Sequence, residues 1–382
     1  MGIHTLSSPE IDADLRRIVE TAVHSRVTPS AVLAYSVRGT QAGPAAFGDA
    51  VAYDDDAAPL PAGQRVPATT DTVYDLASVT KIFTAVTALR LVDDGVLALD
   101  EPVRQVLPGF TGEGKALVTL RHLLTHTSGL PGVWEGWQRM PSAGRGDLLE
   151  DLLATPLAAP AGTAFNYSCV GFNTVLALAE TAAGTSWADL VDRIVLQRLR
   201  ALDARTATLT YSPDAAACAA TECQPELGRG AVRGVVHDES ACALGGSAGN
   251  AGLFGTAEGL LAFGEILRTD TASLLSDPLA QEFWSDQLPW VLGDNLEQGG
   301  PGYGHGLGLR IGQLDWMGSS GISARGHNGF TGTSLLVDRD ASLTVVLLTN
   351  RVHPSRTLSE MAPLRSAVAD TVYAAAAVGA EA

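Results

Sequence analysis

Asp75-Leu76-Ala77-Ser78-Val79-Thr80-Lys81 places a serine three residues before a lysine, in a chain with almost no other lysine. Of 25 basic residues only Lys81 and Lys115 are lysines; the rest are arginines. One helical turn puts positions i and i+3 on the same face, so Ser78 and Lys81 are expected to meet. A guanidinium keeps its charge, whereas a desolvated lysine becomes neutral near pH 7 and then accepts a proton. The stretch runs into Ile82, Phe83, Val86, Leu89, Leu91 and Val92, an apolar helix that stops at Asp93-Asp94-Gly95. Ser78 is therefore expected at a helix N-terminus, where the partial positive charge favours an anionic oxygen. The same spacing also arises in an ordinary helix-face pair, so the stretch alone leaves two readings, a nucleophile beside its base or a structural contact.

Composition narrows the surroundings. A chain of 382 residues with 46% apolar and 18% charged residues suits a globular protein with a sizeable core, as one large or two interleaved lobes. Its net charge of −17 argues against nucleic acid and anionic membrane surfaces, which select basic patches. The first 27 residues hold no basic start followed by an apolar run; Ile11, Leu15, Ile18, Val19 and Val23 instead recur at amphipathic-helix spacing. No apolar run reaches the length of a membrane span. The expectation is a cytoplasmic protein whose four cysteines (Cys169, Cys218, Cys223, Cys242) are reduced thiols. Cys218 with Cys223, and His122 with His126, have metal-like spacing but lack further ligands, so no metal and no organic cofactor is expected.

Strand-like runs lie at both ends. Ala31 to Tyr35 pairs with Ala45 to Tyr53 across a loop at Gly39 to Pro44, and Ser334 to Val337 pairs with Leu343 to Thr349 across Asp338-Arg339-Asp340. Between them, Leu148 to Leu153, Val170 to Thr181 and Trp187 to Leu199 read as helices, and Ala362 to Ala377 closes the chain as another. The layout implies an α+β fold. One antiparallel sheet is built from residues 1–85 and 236–382, with a mainly helical lobe, 86–235, inserted between. Ser78 falls at the junction, where pockets commonly form.

Acyl transfer needs a nucleophile, a base, a proton donor for the leaving atom, and donors for the developing oxyanion. Ser78 and Lys81 supply the first two. Tyr167, in Phe165-Asn166-Tyr167-Ser168-Cys169, precedes a helix and offers a phenol; an ordinary half-buried tyrosine is the competing reading. Gly326-His327-Asn328-Gly329-Phe330 precedes the last hairpin. Its glycines admit a ligand close to the strand, and His327 adds a group that titrates near neutrality.

Together these residues resemble the serine hydrolases of the class C β-lactamase type, the group that includes penicillin-binding proteins, D-aminopeptidases, β-lactamase-like carboxylesterases and some transacylases. Ser78-Val79-Thr80-Lys81 is similar to the family's nucleophile motif and Tyr167 to its Tyr-x-Asn motif. His327-Asn328-Gly329 is similar to its Lys/His-x-Gly strand. His122-Leu123-Leu124-Thr125-His126-Thr127-Ser128-Gly129-Leu130, and Ala251-Gly252-Leu253-Phe254 followed by Thr256-Ala257, are also family-like and in the family's order. The resemblance implies a penicillin-binding-protein-like fold and an acyl intermediate on Ser78. Lys81 and Tyr167 would handle its proton, and the backbone N–H groups of Ser78 and Phe330 would form the oxyanion hole. His327, Asn328, Gly329, Cys169 and Trp134 would border the substrate. His327 stands where lactamases carry lysine, which resembles esterases and D-aminopeptidases more closely.

Cys169 occupies the family's Asn position. A thiol is a weak donor and a poor acceptor, so the loss of that amide should hurt amide and lactam substrates more than esters. The expected activity is esterase or transacylase on a small-molecule ester or amide, with an amine or alcohol as acyl acceptor in the second case. β-Lactamase or D-aminopeptidase activity is the alternative. Two rivals stand beside it. Gly245-Gly246-Ser247-Ala248-Gly249 fits the Gly-x-Ser-x-Gly elbow, which needs a strand before it and a helix straight after, with Asp315 and His327 as later partners. A non-catalytic binding or sensing protein on the same scaffold is the other. Trp134 and Trp137 are read either as an aromatic loop over the site or as core.

Overall fold

Ser30–Val37 (β1) is buried along its whole length, because both faces of the sheet that contains it are covered. The computed structural model describes residues 9–357 and 359–378. Seven further strands join β1: Thr40–Val51 (β2), Val66–Pro67 (β3), Gly304–His305 (β4), Arg310–Ile311 (β5), Arg325–Asn328 (β6), Ser334–Asp338 (β7) and Leu343–Thr349 (β8). Their antiparallel order is β3-β2-β1-β8-β7-β6-β5-β4. The two ends of the chain meet at the centre, where Ala31 pairs with Thr349 and Val37 with Leu343. Alternation divides the side chains between two layers. Ala31, Leu33 and Tyr35 of β1 and Val345 and Leu347 of β8 face one core, with Pro9–His24 (α1) and, at the chain's end, Ala362–Val378 packed over it. Val32 and Ala34, with Val346 and Leu348, face the larger core. That core is filled by Thr80–Asp93 (α2), Cys169–Ala183 (α3) and Ala257–Thr269 (α4). The terminal helix Ala362–Val378 is α5.

The sheet built from both ends is as the sequence implied, with two local differences. The loop expected at Gly39 to Pro44 is a two-residue turn, Arg38-Gly39, with φ of +51° and +80°, and β2 begins directly after it. Two successive positive φ values match the twist of a tight hairpin. The middle of the chain also contains a two-stranded ribbon, Ala220–Gln224 with Arg229–Arg233, closed by Gly228 at φ +65°.

Two contacts place α2 against the sheet. Leu76 donates to the Leu253 carbonyl (2.9 Å), extending the pairing of Tyr74–Asp75 with Phe254–Gly255. The segment after β6 then docks on the turn before α2. Thr331 Oγ1 donates to the Asp75 carbonyl (2.8 Å) and Thr333 Oγ1 to that of Leu76 (3.0 Å). This approach requires glycine at 329. A Cβ there would lie 2.7 Å from the Leu76 oxygen and 3.1 Å from the Ala77 Cβ, both tighter than van der Waals contact.

Two predictions follow from this packing. Gly329→Ala overpacks the junction and should cost about 1–3 kcal/mol, read as a lower denaturant midpoint; an unchanged midpoint would mean that the Leu76 turn yields freely. Histidines generate the second. Burial holds His305 down to about 3 and His353 to about 4, and lowers His126 and His327 well below the ordinary value. The unfolded chain binds protons below about pH 6.5 that these buried imidazoles refuse, so stability is full above that pH and falls on acidification towards about pH 4. Each histidine contributes a slope of about 1.4 kcal/mol per pH unit inside its window. Thermal melting followed from about pH 7.5 to 4.5 should stay level and then decline steeply; a level trace throughout would contradict neutral burial.

Candidate active site

Ser78 lies in a 3₁₀ turn, Ala77–Val79, that feeds α2. Ala77 adopts φ +46°, a conformation that costs an L-residue energy and persists only where neighbours enforce it. The enforcing group is Asp75, buried, whose Oδ1 accepts from Ala77 N–H (2.8 Å) and Oδ2 from His237 N–H (2.7 Å). Burial raises the proton affinity of Asp75 more than these two donors lower it.

Lys81, one turn along, is fully buried. Its Nζ donates to Ser78 Oγ (2.9 Å), to the Asn250 carbonyl (3.0 Å) and, more distantly, to Cys169 Sγ (3.6 Å). It also lies 5.0 Å from the centre of the Tyr167 ring. The sequence reading has burial free Lys81 of its proton near neutrality; the surroundings reverse that. Burial does disfavour the ammonium, but Cys169, Tyr167 and Asp238 favour it, and the net direction is upward.

Tyr167 and Cys169 arrive together at the start of α3. Ser168 caps that helix through its Oγ, which accepts from Gly171 N–H (2.9 Å) and donates to the Pro131 carbonyl (2.6 Å). The Tyr167 ring rests 4.5 Å from the His126 ring, and the Arg310 guanidinium lies over it at 4.9 Å. His126 Nδ1 accepts from Ser168 N–H (3.0 Å), which leaves its proton on Nε2, so the histidine of the His122-x-x-x-His126 pair supports the tyrosine loop. His122 completes a capping box with Thr119 instead.

Ser78, Tyr167, Cys169, Asn328, Gly329 and Phe330 border one cavity of about 520 Å³. Six positions named from the sequence thus converge. His327 does not join them: it is fully buried, and its Nδ1 donates to the Asn328 carbonyl (2.8 Å). Burial, then the charges of Arg310 and Lys81, push its proton affinity far down, so it is neutral where the sequence reading has it titrating. Trp134 is buried, with its indole N–H on Asp151 Oδ2 (2.7 Å). It borders an adjoining cavity of about 500 Å³ that shares Cys169 and Asp238 with the first, and Trp137 lines that cavity too.

Ser247 lies elsewhere in its logic. The residues before it form a helix, Glu239–Ala243, not a strand, and a turn rather than a helix follows. The surrounding glycines serve close packing: a Cβ on Gly252 would collide with the Gly246 carbonyl, and one on Gly249 with that of Phe172. This is what brings the Asn250 carbonyl to Lys81. Sequence reasoning misses that acceptor, since a backbone oxygen has no residue signature. It also misses Arg310, Arg351 and Arg365, which line the Ser78 cavity. In an arginine-rich chain no spacing singles them out. The four cysteines are free, as expected, with Cys218 Sγ on the Asp214 carbonyl and Cys223 Sγ on that of Asp54. Among the described residues no helix is long and apolar enough to cross a membrane.

Known proteins resemble this chain over most of its length. Esterase EstB of Burkholderia gladioli is 33% identical over 343 residues, covering 81% of this chain and 84% of that protein. A putative D-alanyl-D-alanine carboxypeptidase of Escherichia coli K12 is 28% identical over 76% of this chain and 71% of its own. Among solved structures, "EstCE1, a hydrolase with promiscuous acyltransferase activity" superposes with a TM-score of 0.73 at 23% identity, over 95% of this chain and 98% of the other. Unliganded simvastatin synthase (LovD) of Aspergillus terreus gives 0.70 at 20% identity, over 96% and 99%. The family description "Beta-lactamase" matches residues 15–370, and the chain belongs to that family.

Proposed function

We propose that this protein is a serine acyl-transfer enzyme that forms an acyl intermediate on Ser78 from a small-molecule ester, and passes the acyl group to water or to an alcohol or amine. The observation that carries this reading is the 2.9 Å contact between Ser78 Oγ and the buried Lys81 Nζ, at the edge of a cavity shared with Tyr167 and Phe330. The Lys81–Tyr167 pair, short of one proton, takes the Ser78 hydroxyl proton as Oγ bonds to the carbonyl carbon. The backbone N–H groups of Ser78 and Phe330 receive the developing oxyanion. The pair returns the proton to the leaving alkoxide oxygen as its bond to carbon breaks. The acceptor's proton follows the same route in the second half. Asn328 and Gly329 border the bound acyl group, and Trp134 lines its extension. Residues 1–85 with 236–382 would form one lobe and 86–235 the other, meeting at this cavity.

Similarity to an esterase, and a fold shared with a hydrolase and a synthase, support ester chemistry. Similarity to a putative carboxypeptidase supports amide cleavage as the second reading. Cys169 weighs for the first, since its Sγ meets Lys81 and brings no carboxamide to hold a substrate amide. Four free thiols fit a reducing bacterial cytoplasm. The net charge of −17 fits a small-molecule partner rather than nucleic acid or an anionic membrane.

Intact mass after brief exposure to p-nitrophenyl acetate should rise by one acetyl group and stay unchanged in Ser78→Ala; a label that survives in Ser78→Ala overturns the assignment. Lys81→Arg keeps the charge but withholds the proton, and should slow acylation by about 10²–10⁴-fold. Cys169→Asn should raise turnover of an amide or lactam relative to an ester. An unchanged ratio would remove Cys169 from the account of selectivity.

A further inference from the structure

Among the described residues, Phe330 is the one large apolar side chain that the Ser78 cavity leaves substantially exposed, at 48%. An exposed ring beside a nucleophile usually reads as a substrate contact. Here, however, the ring is already occupied. The guanidinium carbon of Arg351 lies 4.5 Å from its centre and that of Arg356 5.7 Å, while the His237 ring stacks on it at 5.8 Å with an interplanar angle of 22°. Guanidinium and imidazole planes bind an aromatic face through its quadrupole and through stacking.

Each of these three groups is itself tied down. Arg351 Nε donates to the carbonyl of Phe330 (2.8 Å), and its Nη1 to those of Arg356 (3.1 Å) and Ser359 (2.8 Å). Arg356 donates from Nε and its backbone N–H to the two oxygens of Glu222 (2.6 and 2.9 Å), and from Nη2 to Glu239. His237 Nε2–H donates to Glu222 Oε2 (2.9 Å), and its backbone N–H to Asp75 Oδ2 (2.7 Å). Glu222 is buried, and the donors from His237 and Arg356 outweigh burial to hold its carboxyl well below the usual range. The circuit closes at Asp75. Its other oxygen holds Ala77, and its carbonyl accepts from Thr331, next to Phe330. One connected set of contacts therefore runs from the residue before Ser78 to the ring and the carbonyl of Phe330.

We propose that the Phe330 side chain is a positioning device and not a substrate contact: clamped by Arg351, Arg356 and His237, it fixes the Phe330 backbone N–H opposite that of Ser78. The proposal rests on the acyl-Ser78 reading above. Backbone donors stabilise an oxyanion only when held at hydrogen-bond distance from where it forms, so loosening the clamp weakens the transition state and leaves ground-state binding alone. Arg351 and Arg356 act through Phe330 and are positioning residues in the same sense.

A double-substitution cycle on the full chain tests this, with Phe330→Leu, Arg351→Met and the two together. The readouts are the p-nitrophenyl acetate burst rate, KM, binding of phenylboronic acid as a tetrahedral-adduct mimic, and thermal melting. Each single substitution should lower the burst rate and the boronate affinity by about tenfold with KM changed by less than about twofold. The pair should be no worse than the more damaging single change, because both undo one clamp. Phe330→Tyr keeps the π face and should restore the wild-type rate. A rise in KM with the burst rate intact would make the ring a substrate contact, and multiplying losses would make the two residues independent; either result overturns the clamp. If wild type gives no burst and no Ser78 adduct, the acyl-enzyme reading falls and this proposal with it. A normal wild-type burst that ignores both substitutions removes the clamp alone.

Discussion

The fully buried ammonium of Lys81 is the constraint on which the rest of the site depends. Taking such an ion out of water costs several kcal/mol even after relaxation, and the cost is offset only where its donors find acceptors. Those acceptors come from three separate places: Ser78 Oγ one turn back, the Asn250 carbonyl and the Cys169 sulfur. The last two lie far along the chain, one in a glycine loop and one at the start of α3. A single charge thus ties the helix N-terminus, the middle of the chain and residues 247–253 together. The glycines at 249 and 252 are explained by it, since any side chain there would hold the Asn250 carbonyl away.

Asp75 performs the matching task for the backbone. An alanine at φ +46° is an unfavourable place from which to present a serine. The carboxylate supports it by accepting the Ala77 N–H, and at the same time accepts that of His237. With Thr331 and Thr333 donating to the carbonyls of Asp75 and Leu76, the turn before α2 is held from two directions. Ser78 is thereby fixed relative to the end of β6 by hydrogen bonds and by the close approach at Gly329. None of these contacts involves a group that must move during reaction, which is what preorganised catalysis requires.

The difference between what was legible and what was not follows from the kind of group involved. Side chains at fixed spacing leave a trace: Ser78 with Lys81, Tyr167 before a helix, Asn328-Gly329-Phe330 at the end of a strand, and all but the buried Lys81 border one cavity. The sheet was legible for the same reason, as runs at both ends with apolar character on both faces. Backbone acceptors leave none, so Asn250 was invisible and the glycines around it invited a nucleophile-elbow reading. Burial is equally hard to read from composition. His327 looks like a titrating group in its motif, yet a position covered on every side, beside Arg310 and Lys81, makes the charged imidazole untenable. The hairpin loop expected at Gly39 to Pro44 failed for a third reason, because Arg38 takes the positive φ usually left to glycine or asparagine.

The neutral state of His327 bears on where the cavity keeps its positive charge. A lysine at that position would carry an ammonium near Tyr167, whose ring centre lies 5.9 Å from that of His327; a neutral buried imidazole brings no charge there. Arg310, on the neighbouring strand β5, takes up the vacated role in electrostatic terms. Its guanidinium lies over the Tyr167 ring and borders the same cavity, anchored by Nη1 to Gln313 (2.7 Å). Guanidinium is less strongly hydrated than ammonium and stacks on aromatic faces, so it tolerates a half-buried wall that lysine would leave. In the proposed reaction its charge stands over Tyr167 apart from the Lys81–Tyr167 pair that would exchange the proton, and it adds to the burial that holds His327 neutral. The proposed reaction would then confine its proton transfers to Ser78, Lys81 and Tyr167, although a histidine stands one residue from the cavity wall.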